Sequence, residues 1–392
     1  MKHDFDEVVD RKGTYSTQWD YIQDRFGEHD LLPFSISDTD FRMPIEIQTA
    51  LAQFNQLGIY GYTRWNHADF KHSIVDHMQR RTGVAADAEW VIYSPSVMYT
   101  ISLLIRELCG EHNRVLTFTP MYDSFYRVVQ NNGCALIESQ LLIKKGHYEI
   151  DFADLAAKLT SVDVFLLCSP HNPTGRLWTQ GELQKIVDLC QANGVKIISD
   201  EIHADINLSE RAHVPILKFY AQYQNLFLVS SASKMFNTPG LIGSYALIPD
   251  TDVRLRLNEI MHDRDFVSSA STLGMLATMV GYNQCDYYIE ELSAYIKQNL
   301  AVVEKFIAEK LPEFAYQKSE ATYLAWIDCT QMPWTMAELQ KALVKVGKVG
   351  IMNGAIYGDA NYLRMNCGAP LSKIEAGLSR IELAVESLRA QN

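Results

Sequence analysis

The sequence predicts an α/β fold in which a mainly parallel sheet carries helices on both faces, together with a smaller α+β domain. From about residue 88, short apolar runs alternate with amphipathic segments. These runs are apolar on both faces, as the strands of a covered parallel sheet are. The first 45 residues and the tail after about residue 286 lack this rhythm. We therefore expect an N-terminal segment of the small domain at 1–45, a large domain at 46–285 and the C-terminal small domain at 286–392.

The strands of the large domain follow one another in a regular order. The first is predicted at residues 90–93, and a helix begins after it at Ser96. A serine hydroxyl at this position can accept a hydrogen bond from a free N–H group of the first helical turn. The next strands are predicted at residues 115–118, 164–168, 195–199 and 226–229.

The helix between the third and fourth of these strands has a signal at each end. Thr179 and Glu182 have the spacing of a capping box, and Gly194 suits the left-handed residue that follows a helix. In the tail, apolar residues at helical spacing predict one long helix over about 288–307. A strand at 323–327 and shorter strands near residues 351 and 363 complete the small domain.

The composition argues against several classes of protein. Asp and Glu number 47 against 35 Lys and Arg, which gives a net charge of −12 without a basic block. Such a chain is poorly suited to bind nucleic acid or an anionic membrane surface. The polar N-terminus lacks the apolar core of a signal peptide, and the seven cysteines form no CxxC pair. We expect a cytoplasmic protein that has no metal site and does not bind a membrane.

Three polar clusters directly follow buried strands. They read SPHNPTG at 169–175, SDEIH at 199–203 and SSASK at 230–234. Because the carboxyl ends of parallel strands share one edge of a sheet, Asn172, Asp200 and Lys234 are expected to converge there.

A carboxylate, an amine and an anion site together match the requirements of pyridoxal 5′-phosphate (PLP). A buried carboxylate keeps the pyridine nitrogen protonated, an amine can form a Schiff base with the aldehyde, and hydroxyls with helix N–H groups hold phosphate. Ser231 and Ser233 flank Lys234, and the helix that starts at Ser96 offers a second phosphate cradle. Tyr122, which follows the strand at 115–118, offers an aromatic face for the ring.

The chain resembles the fold-type I PLP enzymes, and within them the MalY/PatB group of cystathionine β-lyases. The resemblance rests on the three clusters, on LRMN at 363–366, and on DRKGTYSTQWD at 10–20, ISDTDF at 36–41 and YGYTRW at 60–65. It covers nearly the whole chain and implies a seven-stranded sheet in a large PLP-binding domain. Gln18 stands where many members of the group have lysine.

The resemblance also implies roles for individual residues. Lys234 corresponds to the Schiff-base lysine and general base, and Asp200 to the partner of the pyridine nitrogen. Asn172 corresponds to the donor to the phenolic oxygen of the ring, close to the substrate, and Arg364 to the arginine that binds the substrate α-carboxylate. Tyr122 corresponds to the catalytic-site residue stacked on the ring. The phosphate site corresponds to Ser231, Ser233, the backbone of Ser96, Val97 and Met98, and Tyr62 from the neighbouring subunit.

Some of these residues also have a plain structural interpretation. His203 can belong to the cofactor site or be an ordinary packed histidine, and Tyr62 lies in an aromatic cluster of the kind that often packs in a core or interface. Asp38 and Asp40 can border the substrate pocket, although capping of local turns is the favoured interpretation.

The predicted activity is that of a PLP-dependent C–S β-lyase, which eliminates a thiol from cystathionine or a related cysteine thioether and yields pyruvate and ammonia. An aminotransferase remains open, because both reactions need Lys234, Asp200 and Arg364. A regulatory protein that binds a partner on the same scaffold is a further alternative. A homodimer is expected, since the role of Tyr62 requires a second subunit.

Overall fold

A seven-stranded sheet organises the larger part of the chain. The computed structural model describes residues 2–144 and 146–391. Within them, the strands are β1 (Leu32–Pro33), β2 (Val91–Ser94), β3 (Arg114–Thr119), β4 (Ala135–Gln140), β5 (Leu142–Lys144), β6 (His147–Glu149), β7 (Val164–Cys168), β8 (Lys196–Asp200), β9 (Leu226–Ser230), β10 (Ser244–Leu247), β11 (Ala315–Tyr316), β12 (Leu324–Asp328), β13 (Val349–Gly350), β14 (Met352–Asn353) and β15 (Tyr362–Asn366).

The order of the large sheet is β2-β10-β9-β8-β7-β3-β4. Strands β9, β8, β7, β3 and β4 run parallel, whereas β10 is antiparallel to both of its neighbours. The prediction of a mainly parallel seven-stranded sheet is therefore confirmed. The five strands predicted from apolar runs are present as β2, β3, β7, β8 and β9.

Helices flank the strands in the described chain. The α-helices are α1 (Ile22–Phe26), α2 (Ile45–Gln56), α3 (Ala68–Thr82), α4 (Val97–Leu108), α5 (Asp123–Asn131), α6 (Phe152–Leu159), α7 (Gln180–Asn193), α8 (Ser233–Phe236), α9 (Thr251–Glu259), α10 (Thr272–Gln284), α11 (Asp286–Lys310), α12 (Met336–Ala342) and α13 (Leu371–Arg389). Shorter 3-10 or π turns lie at Ala88–Trp90, Ile216–Phe219, Pro239–Leu241, Ile260–Arg264, Leu343–Gly347 and Gly354–Tyr357.

The predicted helix ends are present. The Ser96 hydroxyl accepts a hydrogen bond from the N–H of Tyr99 and caps α4. Thr179 and Glu182 form both hydrogen bonds of a capping box at the start of α7, and Gly194 ends that helix with a φ of 68°.

Alternate residues of the central strands enter two separate cores. In β7, Phe165 and Leu167 pack into one hydrophobic cluster, whereas Val164 and Leu166 pack into the other. The first cluster includes residues of α7 and α10, and the second includes residues of α4 and α5. The sheet is therefore covered by helices on both faces, which explains why its strands read as continuous apolar runs.

The C-terminal part builds a second, four-stranded sheet of order β11-β12-β15-β14. The N-terminal segment attaches to this part, because β1 pairs in parallel with β13. Phe34 fixes the contact: a Cβ added to Gly377 of α13 would lie 2.4 Å from the Phe34 ring. Residues near the N-terminus therefore pack against elements more than 300 residues away.

The described residues contain neither a helix suited to cross a membrane nor a group of side chains arranged to hold a metal ion. None of the described helices is long and apolar enough to cross a membrane. Within the same residues, no group of three or more His, Cys, Asp or Glu side chains is arranged to hold a metal ion. All seven cysteines are free.

Candidate active site

The three polar clusters converge on one cavity at the carboxyl ends of β7, β8 and β9. The cavity has a volume of about 260 Å³. Its walls include Asn172 after β7, Asp200 at the end of β8, Lys234 after β9, and Arg364 from β15 of the small sheet. Val97, Met98, Tyr122 and His203 also line it, so eight of the predicted site residues lie together.

Asp200 is a buried carboxyl group without a cationic side chain bonded to it in the described structure. Its Oδ1 accepts a hydrogen bond of 3.2 Å from the N–H of Ile202. Burial raises the pKa of Asp200 to about 7, although this hydrogen bond and the charge of Lys234 partly oppose the rise. A cation placed against this carboxylate would stabilise its ionised form. The site is therefore suited to a protonated ring nitrogen.

Lys234 lies in α8, and its amine points into the cavity. The Nζ atom donates a hydrogen bond of 2.5 Å to the carbonyl oxygen of Ser37. Burial lowers the pKa of Lys234 to about 8, and the charge of Arg364 lowers it further, while Asp38 and Asp200 act in the opposite direction. The amine therefore loses its proton far more readily than an exposed lysine, as a nucleophile or a base requires.

Arg364 is buried, and its guanidinium group is held on two sides. Nη1 donates to Asn172 Oδ1 and Nη2 donates to the carbonyl oxygen of Ser35, each at 3.1 Å. The group also lies over the ring of Tyr357, with 4.3 Å between the guanidinium carbon and the ring centroid. Its Nε has no hydrogen-bond partner among the described residues. A fixed guanidinium with a free donor can receive a carboxylate.

Two aromatic side chains complete the polar wall. Tyr122 directly precedes α5, and burial raises the pKa of its hydroxyl. His203 is buried, and burial lowers its pKa to about 3, so the imidazole is neutral at physiological pH. Its ring meets that of Tyr323 edge-on, with 6.0 Å between centroids, and its Nδ1 has no partner in the described chain. His203 therefore lies in the cavity as a neutral ring with a free nitrogen.

The predicted phosphate residues lie beside the cavity. Ser96 directly precedes the lining residue Val97, Ser233 directly precedes Lys234, and Ser231 lies three positions before Lys234. None of the three serines lines the space itself. The Ser231 hydroxyl is 2.7 Å from the carbonyl oxygen of Gly243 and 2.9 Å from the hydroxyl of Ser233. The start of α4, with N–H groups free of helical partners, is the part of this cradle that faces the cavity.

Tyr62 is the predicted residue that the single chain does not bring to the site. Its side chain is 101% exposed and lies outside the lining of the cavity.

Sequence reasoning missed several walls of the cavity, and these come mainly from the loop at 35–37, from α1 and α5, and from the turn at Gly354–Tyr357. They are Arg25, Ser35, Ile36, Ser37, Asp123, Ser124, Arg127, Cys168, Ile202, Ile356 and Tyr357. The ISDTDF motif at 36–41 could have indicated that the loop at 35–37 reaches the site, since Ser37 of this motif contacts Lys234.

The interpretation of Asp38 and Asp40 as turn caps is wrong. Asp38 pairs with Arg11 at 2.7 Å. Asp40 is buried and accepts from Arg11 and Trp19, each at 2.9 Å, and from Lys373 at 2.5 Å. Because buried carboxylates need cationic partners, these pairs hold the 35–41 loop in place behind the cavity.

Comparison with known proteins agrees with this geometry. Residues 29–381 match the family model for aminotransferase class I and II. The chain is 38% identical to Protein MalY of Escherichia coli K12, over 98% of this chain and 100% of that protein. It is 34% identical to cystathionine beta-lyase PatB of Bacillus subtilis 168, over 97% and 99% of the two chains.

A solved structure shows the same similarity in three dimensions. Cystalysin from Treponema denticola, whose crystal structure contains a pyridoxal 5′-phosphate cofactor, superposes with a TM-score of 0.93 at 29% identity. The match covers 99% of this chain and 100% of cystalysin. The chain therefore belongs to the aminotransferase class I and II family, and within it to the group that contains MalY and PatB.

Proposed function

We propose that the protein is a PLP-dependent C–S β-lyase that acts on cysteine thioethers such as cystathionine. The observation that carries this proposal is the cavity in which the Lys234 amine, the Asp200 carboxylate and the Arg364 guanidinium meet. The similarity of the chain to PatB, a cystathionine beta-lyase, and to cystalysin, whose crystal structure contains PLP, supports the proposal.

The residues of the cavity fit PLP. Lys234 would hold its aldehyde, and Asp200 its ring nitrogen, since the buried carboxyl group has no bonded cation of its own in the described chain. Asn172 and Tyr122 would contact the ring, while the start of α4 with Ser231 and Ser233 would hold the phosphate. When bound, PLP supplies an electron-poor ring that stabilises negative charge on the α-carbon of an attached amino acid.

The chain's own groups perform the remaining tasks. Arg364 binds the substrate α-carboxylate, and Asn172 keeps the guanidinium in position through its hydrogen bond of 3.1 Å. The Lys234 amine, with its pKa lowered to about 8, removes the proton from the α-carbon. Loss of the thiol from the β-carbon, followed by hydrolysis, yields pyruvate and ammonia. Arg364 and Lys234 face the same cavity, so the carboxylate anchor and the base act on one substrate.

We also propose a homodimer in which Tyr62 of each chain reaches the phosphate site of the other. Tyr62 and its neighbours Ile59 and Tyr60 are 101%, 72% and 55% exposed in the single chain. Exposed apolar groups of this kind mark interaction surfaces. Sedimentation analysis is expected to show a dimer, and a fully active monomer would contradict the proposal.

The division into domains at residues 45 and 285 is a further proposal. It is supported by the separate sheets and by the break between α10 and α11, which falls at Cys285. Limited proteolysis that released fragments with unrelated ends would argue against these boundaries.

An assay of pyruvate formed from L-cystathionine tests the function. Because elimination needs no second substrate, pyruvate is expected without any added keto acid. An aminotransferase would instead require a keto-acid acceptor and convert it to an amino acid. If turnover depended on the acceptor, the lyase proposal would be replaced by transamination, which the family name also covers.

A further inference from the structure

An open vestibule adjoins the mouth of the candidate active-site cavity. It encloses about 740 Å³, and four residues border both spaces: Arg25, Asp123, Arg127 and Ile356. A substrate whose α-carboxylate is bound by Arg364 and whose amine lies near Lys234 has its β-carbon and sulfur free to extend outward. The part that enters the vestibule is therefore the thiol that leaves.

The vestibule carries two arginines from different parts of the chain. Arg25 lies in α1 and Arg127 in α5, and both are exposed. The Arg25 guanidinium contacts Met352 Sδ at 3.8 Å and makes no ion pair within the described residues. Arg127 reaches Asp123 at 3.3 Å and the Ser124 hydroxyl at 3.0 Å. Two cations and one carboxylate therefore leave a net positive charge at the mouth.

We propose that Arg25 and Arg127 select thioethers whose leaving thiol carries a carboxylate, an inference that rests on the proposed lyase function. A planar guanidinium binds a carboxylate through two parallel hydrogen bonds. Asp123 can accept an ammonium group beside it, so the α-amino-acid end of cystathionine fits the same place. Phe26, Met352 and Ile356 give apolar contact to the carbon chain between.

Two substrates of matched length test the proposal. S-(2-carboxyethyl)-L-cysteine and S-propyl-L-cysteine differ mainly in the distal carboxylate. We expect the wild-type kcat/KM to favour the acid about three- to tenfold, the size expected of two exposed ion pairs. The double variant Arg25→Gln/Arg127→Gln should lose this preference, because kcat/KM should fall more for the acid than for the propyl substrate, mainly through a higher KM for the acid. Arg114→Gln, an exposed arginine outside both spaces, is the control.

The preference for the acid substrate should also weaken as the salt concentration rises. Between roughly 50 and 500 mM NaCl the preference of the wild-type enzyme should fall, because exposed charges are screened. Three results would overturn the proposal that Arg25 and Arg127 select the substrate. They are equal kcat/KM for the two substrates in the wild-type enzyme, an equal loss of kcat/KM for both substrates in the double variant, and the same loss of preference in Arg114→Gln. Absence of pyruvate from every thioether would instead overturn the lyase function, and the selection with it.

Discussion

The buried carboxyl group of Asp200 gives a prediction for the protein freed of its cofactor. Without a cationic ring beside it, this group has a pKa of about 7, against an ordinary value of 3.8. A carboxyl group whose pKa is raised on folding destabilises the folded state as pH rises from the unfolded to the folded pKa. Replacement by asparagine removes that penalty and retains an oxygen that can accept the N–H of Ile202.

The size of the effect follows from the two pKa values. One pKa unit corresponds to about 1.4 kcal/mol. The raised pKa therefore destabilises the folded state by on the order of 4 kcal/mol above pH 7, but by only about 2 kcal/mol near pH 5, where the folded carboxyl group is protonated. Asp200→Asn should thus stabilise the cofactor-free protein, and by about 2 to 3 kcal/mol more at about pH 7.5 than at about pH 5.

Urea unfolding of both proteins at the two pH values measures this difference. Titrating groups that do not interact with Asp200 contribute equally to both proteins, so only Asp200 and the Lys234 amine coupled to it enter the comparison. The same substitution should weaken retention of PLP and lower activity, since asparagine cannot stabilise a protonated ring nitrogen. A difference in unfolding free energy that is the same at both pH values would refute the account of Asp200.

Three further predictions concern other charged groups. The rate at which cofactor-free protein recombines with PLP should rise with pH around a midpoint near 8, because the Lys234 amine must lose its proton. Stopped-flow absorbance measures this rate, and a midpoint near 10.5, the ordinary pKa of lysine, would show that burial has no effect. Arg364→Lys should lower kcat/KM by about 10- to 150-fold through the loss of charged hydrogen bonds, and initial-rate kinetics showing an unchanged KM and kcat would exclude the proposed carboxylate contact. Asp40→Asn should destabilise the protein by about 3 to 5 kcal/mol because it leaves Lys373 buried without its partner, whereas exposed Asp10→Asn should leave the denaturation midpoint nearly unchanged.

The sequence predicts the centre of the sheet because burial on both faces leaves a direct trace in the chain. Strands β7, β8 and β9 are buried at nearly every position, and polar residues follow each of them. Two strands of the same sheet have weaker signals. Strand β4 is half exposed at the edge, and β10 has four residues with two polar groups, so neither forms a long apolar run.

Some residues of the cavity walls can likewise be predicted from the sequence, and others cannot. Residues at strand ends are predictable because parallel strands end at one edge. The loop at 35–37 and Arg25 have no periodic pattern, and long-range packing brings them to the site: Phe34 against Gly377, and Asp40 against Lys373. Contacts between residues more than 300 positions apart cannot be read from local spacing. Tyr62 differs again, because its proposed role needs a second chain.

Borohydride reduction of the PLP-loaded protein, followed by peptide mass analysis, shows which lysine holds the cofactor. Reduction makes the bond between the cofactor and its lysine permanent, so the modified peptide identifies the attachment site. The pyridoxyl group is expected on the peptide that contains Lys234, and Lys234→Ala is expected to yield no modified peptide. Attachment to another lysine, or unchanged labelling of Lys234→Ala, would contradict the role proposed for Lys234.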